Sequence, residues 1–368
     1  MAGPVRVGII GCGSVSRVYI PLLQRMNVPH PRVEITIACD VLEERRQHVR
    51  DVHAIGNFTT DPMKVIESPD VDAVLILTSM PEHGRLSKAA LEAGKHVLVE
   101  KPMAMNLDDA AELVELARNS PGYLVCAPHV VLSPTYQSMW RHIAKGDIGK
   151  VYSARGFYGW SGPWWGPWFY QPGGGSMFDL GVYNVTTLTG LIGPAQRVMA
   201  MSGIAIPERV VDGKMMKVET DDNAQLLLDF GSAAYGVVTT GFTIQQYRNC
   251  GIEIYGSEGT IQMLGEDWAP LGYELWQNSA GHWKVYNQHY GWPWADGARH
   301  LIECIETGTP PQVTPEHAYH VLEIMLKTAE SGRTGKRYEI ESTFTPPTFP
   351  EPDEETAAHL KHDPGTDG

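Results

Sequence analysis

Apolar positions in the first third of the chain fall in short, nearly continuous runs separated by stretches of helical period. Residues 5–10, 33–39, 73–77, 96–99 and 123–127 are runs of strand length rich in β-branched side chains and leucine. Between them, residues 42–52, 84–93 and 107–118 place apolar side chains at helical spacing, and Asn106 stands where an N-cap is wanted. Continuous apolar runs suit strands buried on both faces. Their alternation with helices predicts a doubly wound α/β domain with a parallel sheet.

The texture changes near residue 149. Segments 151–158, 225–230, 233–242, 250–255 and 260–264 are strand-like and punctuated by Gly and Asp, which predicts an antiparallel sheet. Helices are expected over 181–191, 298–306 and 315–331, the late ones placed to pack back on the first domain. The predicted organisation is an α/β domain over 1–128, an α+β domain over 129–341, and a Pro-rich acidic tail over 342–368, flexible or partner-bound. A length of 368 residues agrees with two cores.

Charge narrows the function. With 43 Asp and Glu against 29 Lys and Arg, the chain carries a formal charge of −14, which argues against a nucleic-acid partner. No apolar run approaches the ~20 residues of a membrane span, and the opening residues lack a signal-peptide stretch, so no membrane association and a cytoplasmic location are expected. Cys12, Cys39, Cys126, Cys250 and Cys304 are scattered and odd in number, which predicts reduced thiols. His317 with His320, and His282 with His289, have no carboxylate or thiol completing a familiar metal spacing, so no metal is predicted.

Candidate chemistry begins directly after the first run, at Gly11-Cys12-Gly13-Ser14-Val15-Ser16. A strand leading through such a turn into a helix is the setting of a dinucleotide site: Gly11 permits the tight turn, Gly13 lets backbone approach a pyrophosphate, and the helix start offers N–H groups. Asp40 closes the second run, where its carboxylate can accept ribose hydroxyls, and no Arg follows it immediately, which favours NAD over NADP. Thr78, Ser79 and His83, and then Glu100, Lys101 and Pro102, follow later strands of the same sheet, whose carboxyl ends face the ligand crevice.

These segments, with Ala93-Gly94-Lys95-His96-Val97-Leu98-Val99 leading into Glu100-Lys101-Pro102, resemble the glucose-fructose oxidoreductase, inositol dehydrogenase and rhizopine catabolism (Gfo/Idh/MocA) family. The resemblance continues through residues 146–151 and 173–183, to about residue 341. It implies a Rossmann domain followed by a domain with a large, mostly antiparallel sheet often used for oligomerisation, here a homodimer or homotetramer. It also implies an active site of Lys101, Asp179 and the residue at position 183. That residue is Tyr183, where many members carry His. A free tyrosine has a pKa of ~10 against ~6.5 for histidine, so a tyrosine base needs a nearby cation such as Lys101.

His129 follows the fifth run, either to hydrogen-bond a substrate hydroxyl, to serve as an alternative acid or base, or as a structural histidine. Trp165 belongs to an aromatic stretch, Trp160 to Tyr170, whose rings suit the C–H faces of sugars or a packed interface. The expected activity is NAD-dependent oxidation of a hydroxyl on a small-molecule sugar, polyol or glycoside. Redox-neutral glycoside chemistry through a transient ketone, and a non-catalytic NAD sensor, remain open at this point.

Overall fold

The computed structural model describes residues 3–248, 250–287 and 291–351, so His289 and most of the tail lie outside the described residues. The described residues form two compact units, one within Met1–His129 and Ala295–Tyr319, the other within Val130–Trp294 and His320–Gly368.

In the first unit, β1 (Val5–Ile10), β2 (Val33–Cys39), β3 (Phe58–Thr59), β4 (Ala73–Ile76), β5 (His96–Val99) and β6 (Leu124–Cys126) form one sheet in the order β3-β2-β1-β4-β5-β6. Every pairing is parallel, as the apolar runs predict. The connections carry α1 (Ser16–Arg25), α2 (Arg45–His53), α3 (Met63–Ile66), α4 (His83–Glu92) and α5 (Leu107–Asn119). Asn106 caps α5 as expected, its side chain accepting from the Asp109 N–H at 2.8 Å. The strand order reverses between β1 and β4, which makes the carboxyl ends of these strands the ligand-facing edge. A late helix, Gly297–Thr307, packs against α1 and the sheet, and Arg32 grips its Glu306 through two hydrogen bonds of 3.1 and 2.5 Å.

The second unit begins with α6 (Pro134–Lys145), β7 (Val151–Gly159), a π-helical turn Met177–Gly181 and α7 (Val182–Ile192). There follow β8 (Arg197–Gly203), β9 (Glu208–Val211), β10 (Lys214–Lys217), β11 (Asn223–Asp229), β12 (Tyr235–Gly241), β13 (Ile252–Gly256), β14 (Gly259–Glu266), β15 (Ala269–Gln277) and β16 (Trp283–Asn287). The late helix above is α8; α9 (Pro315–Thr334) and β17 (Tyr338–Glu339) complete the described chain.

Nine of these strands make one sheet in the order β16-β15-β14-β13-β7-β12-β11-β8-β17. It is antiparallel except where β7 runs parallel to β12, while β9 and β10 form a separate hairpin. α7 lies on one face, against β7, β12 and β13, and is buried nearly all round. The other face exposes Met199, Met201, Leu227, Tyr235 and Val237. Ser342 and Phe344 lie against α9, and residues 349–351 against α6: Phe349 is buried between the rings of Tyr136 and Trp140, and Glu351 pairs with Lys145 at 2.8 Å.

Candidate active site

The turn from β1 to α1 is built around Gly11, at φ +100°, where an added Cβ would lie 2.5 Å from the Leu77 carbonyl oxygen. Only glycine fits so close to the neighbouring strand. Around Gly13 the space is open, with nothing within 4 Å of an added Cβ, and Ser14 is exposed. No side chain caps the start of α1, so its first N–H groups and the positive end of its dipole are left for an anion. Ser16 donates to the Gly13 carbonyl at 2.7 Å and fixes the turn's shape.

Asp40 closes β2 beside this turn. Its Oδ2 accepts from the Cys12 N–H at 2.8 Å and its Oδ1 from the Leu42 N–H at 2.9 Å. Each oxygen keeps a lone pair for a ribose hydroxyl. The carboxylate does not cap α2, whose N-cap is Glu44. Cys12 is buried, its thiol pKa pushed up to about 12 by burial and the Asp40 charge, so it serves as packing and not as a nucleophile. These residues fit a dinucleotide: an open glycine, an uncapped helix start and a fixed carboxylate.

The loops after β4 and β5 are tied together by His83. Its ring is buried, Nε2 lying 3.0 Å from the Thr78 carbonyl oxygen and Nδ1 2.8 Å from that of Pro102. Burial lowers its pKa, opposed by the two carbonyl oxygens it faces, and the ring bridges the two loops. Thr78 is partly exposed and Ser79 exposed.

Glu100 is buried, accepting at Oε1 from the Tyr19 hydroxyl at 2.7 Å and at Oε2 from the Lys101 N–H at 3.1 Å. Tyr19, fully buried on α1, also meets the buried His129 ring edge-on at 6.4 Å. Lys101 is thus held at the carboxyl end of β5 by a carboxylate that α1 itself anchors.

In the second unit, Asp179 lies in the π-helical turn and Tyr183 one residue inside α7. Both are partly exposed. Tyr183 meets Tyr158 of β7 edge-on at 6.0 Å. Burial, with the charges of Tyr183, Asp179, Glu266 and Asp267, raises the Tyr158 pKa, which keeps its hydroxyl a hydrogen-bond donor. Sequence reading missed Tyr158, because one tyrosine on an alternating strand gives no signal.

The aromatic stretch before this turn is pinned from beneath. Phe169, Tyr170 and Leu180 share a core with Val211, Val218 and Phe242, while Trp165 stays 37% exposed with its ring tilted against Trp160 at 5.7 Å. Arg209 fastens the loop: it pairs with the buried Asp222 at 3.0 Å, donates to the Ser161 carbonyl at 2.7 Å and lies 5.1 Å over the Tyr170 ring. Among the described residues there is no group of three or more His, Cys, Asp or Glu able to hold a metal, and no helix long and apolar enough to cross a membrane.

A dinucleotide turn at the switch point of a parallel sheet, with a lysine held at the end of β5, defines an NAD-dependent oxidoreductase. Residues 5–126 match the oxidoreductase family NAD-binding Rossmann fold, and residues 136–262 the GFO/IDH/MocA C-terminal domain; the chain belongs to the Gfo/Idh/MocA oxidoreductase family. It is 28% identical to the 1,5-anhydro-D-fructose reductase of Ensifer adhaerens, across 92% of this chain and 99% of that one. Against the myo-inositol 2-dehydrogenase of Thermotoga maritima it is 24% identical, across 91% and 99%. A levoglucosan dehydrogenase solved with NADH and levoglucosan shares the fold, at a TM-score of 0.83 and 20% identity, across 92% and 100% of the two chains.

Proposed function

We propose that this oxidoreductase interconverts a sugar or polyol CH–OH group and the corresponding carbonyl. The observation that carries the reading is Lys101 at the carboxyl end of β5, its main chain fixed there by the Tyr19–Glu100–Lys101 chain of hydrogen bonds. Relatives named for an anhydrofructose and for inositol support the substrate class. Bound NAD supplies hydride acceptance at its nicotinamide ring. The protein's part is to bind, orient and move a proton. Gly11, Cys12, Gly13, Ser14 and Val15 would hold the pyrophosphate of NAD and Asp40 its ribose hydroxyls, with Thr78 and Ser79 toward the nicotinamide.

Lys101 takes the hydroxyl proton as the carbinol hydrogen leaves as hydride, since a carbonyl forms only if both depart. The family resemblance assigns Asp179 and Tyr183 to substrate hydroxyls. His129 is assigned to the substrate end, and Trp165 offers an indole face to a sugar ring.

The test is NADH formation at 340 nm across aldoses, inositols and glycosides. Lys101→Ala is expected to lower kcat about 10³-fold while leaving NADH affinity within a few fold. Turnover that survives the substitution within tenfold removes Lys101 from the chemistry. Silence of the unaltered protein across the panel, with NADH bound, overturns the dehydrogenase reading in favour of redox-neutral or sensory use of the nucleotide.

A further inference from the structure

The turn between β14 and β15 carries Asp267, which reaches the helix that bears Tyr183, and Trp268, which reaches Tyr158 on β7. Asp267 is fully buried. Its Oδ2 accepts from Asn184 Nδ2 at 2.9 Å and from Thr187 Oγ1 at 3.1 Å, both on α7. Its Oδ1 has no hydrogen-bond partner among the described residues. Asn184 is the chain neighbour of Tyr183 and presses on β7 at Gly156, where an added Cβ would come within 2.8 Å of it. Trp268 stacks on Tyr158 at 6.3 Å and 25°, and Tyr158 meets Tyr183 edge-on. One two-residue turn therefore holds Tyr183 from two sides, through Asn184 and through the Tyr158 ring.

We propose that Asp267 is a positioning residue for the reaction, acting as the neutral acid: by holding Asn184 and Thr187 it sets the face of α7 on which Tyr183 stands. The proposal rests on the role given to Tyr183 above. A buried carboxylate oxygen with no partner is costly if ionised and tolerable in a neutral carboxyl. In that form Oδ2 remains a carbonyl oxygen accepting both α7 donors, while Oδ1 carries the proton.

The surroundings favour this form. Burial, reinforced by the charge of Glu266, pushes the Asp267 pKa up to about 7. Glu266 shares the turn, accepts a short hydrogen bond from Tyr247 in the segment before β13, and has its own pKa raised by burial. Tyr158 faces the group from β7, and the Asn184 and Thr187 donors on α7 oppose burial by pulling the pKa down, without cancelling it. Loss of the proton would place a negative charge beside Glu266 and behind the tyrosines, pushing on both. The two bonds from α7 would persist, so it is the new charge beside Glu266 that would shift the support of Tyr183 above neutral pH.

The experiment compares Asp267→Asn and Asp267→Ala with the unaltered full chain, measuring kcat and KM from pH 5.5 to 9 and NADH affinity by fluorescence. Asn imitates the neutral acid. Asp267→Asn is expected to hold kcat within about threefold and to lack the fall in kcat above pH ~7, while Asp267→Ala loses about 10²-fold in kcat at unchanged NADH affinity, the scale of a misplaced reacting group. A kcat for Asp267→Ala within threefold of the unaltered protein, or an unchanged alkaline limb in Asp267→Asn, overturns the proposal. Should the Ala variant fail to fold, the Asn profile decides alone.

A readout independent of turnover separates this proposal from the dehydrogenase reading. The ¹³Cζ resonance of Tyr183, assigned with Tyr183→Phe, is expected to titrate near pH 7 in the unaltered chain and not in Asp267→Asn. Absence of that titration overturns the positioning role even where turnover is found, and its presence sustains the role where no sugar is turned over.

Discussion

In the six-stranded parallel sheet Val97, Leu98 and Val99 are all fully buried, whereas in the nine-stranded sheet Leu226 is 2% exposed and its neighbour Leu227 44%. The first sheet has helices on both faces, so its strands are apolar throughout and chemistry is displaced to the loops at their carboxyl ends. The second is covered on one face, so its chemistry rides on the covering helix and on the strand positions beneath it. Gly11, Asp40 and Lys101 accordingly lie next to their strands in sequence, while Tyr158, Asp179, Tyr183 and Asp267 gather from β7, the π-helical turn, α7 and the β14–β15 turn. A site at strand ends can be read locally; one spread over a helix-covered face cannot.

The largest structural effect expected from this contrast is at Gly11. An added methyl there faces both a positive φ and the Leu77 carbonyl oxygen at 2.5 Å. Gly11→Ala is expected to destabilise the protein by about 3–5 kcal/mol in urea unfolding and to weaken NADH binding more than tenfold. A loss below about 1 kcal/mol would show that the turn relaxes, and that strand ends in the first unit are less constrained than the comparison holds.

In the second unit the buried polar groups are expected to show themselves through pH. His320 on α9 is fully buried, its Nε2 accepting from the Ala195 N–H at 3.0 Å and its Nδ1 lying 2.9 Å from Ser342 Oγ. Burial lowers its pKa to about 4 from the usual 6.5. Below pH 6.5 the unfolded chain takes up a proton that the folded ring declines, so this contribution is complete above 6.5 and is lost as pH falls toward 4. Asp267 has the opposite sign: its raised pKa favours the folded state at low pH, and that advantage is lost as pH rises toward 7. The two slopes oppose one another over the same window. The stability difference between the unaltered chain and His320→Gln is therefore expected to grow by about 3 kcal/mol from pH 4 to 6.5. A pH-independent difference would show that the ring is no more shielded than an exposed histidine.

How much of this was legible follows from the same contrast. The strands β1, β2, β4, β5 and β6, the cap at Asn106 and the nucleotide turn all announce themselves in apolar runs and glycine spacing, and the family follows from them; the two-residue β3 does not. β8 and β15 were not read as strands. β8 alternates Val198 and Ala200 with the exposed Met199 and Met201, so its outward positions look apolar; β15 contains Pro270 and Gly272, which read as turn residues. Pro270 sits where the β14–β15 register shifts, the position in a sheet that tolerates it. Ser133-Pro134 is a readable helix start that went unused, its Ser133 side chain accepting from the Tyr136 N–H at 3.1 Å. Asp179 and Tyr183 were reached through family resemblance. The support from Tyr158 and Asp267 had no signal at all, since nothing along the chain links a strand tyrosine to a turn carboxyl far downstream.

The sharpest test of the comparison is also the smallest in magnitude. Leu226 and Leu227 are adjacent on β11, Leu226 opposite Ala200 and Val238 on the covered face, Leu227 opposite Met199 and Val237 on the open one. Leu226→Ala removes packed methyl groups and is expected to cost about 2–4 kcal/mol in urea unfolding. Leu227→Ala is expected to change the stability of the dilute chain by less than about 0.5 kcal/mol, because its side chain already stands in water. Repeating the second measurement over a hundredfold range of protein concentration extends it. A cost that appears only as concentration rises would mean that another copy of the chain covers this face, because stability then depends on mass action. A cost equal to that of Leu226→Ala at every concentration would mean that the face is buried within one chain, and the contrast between the two sheets would fail.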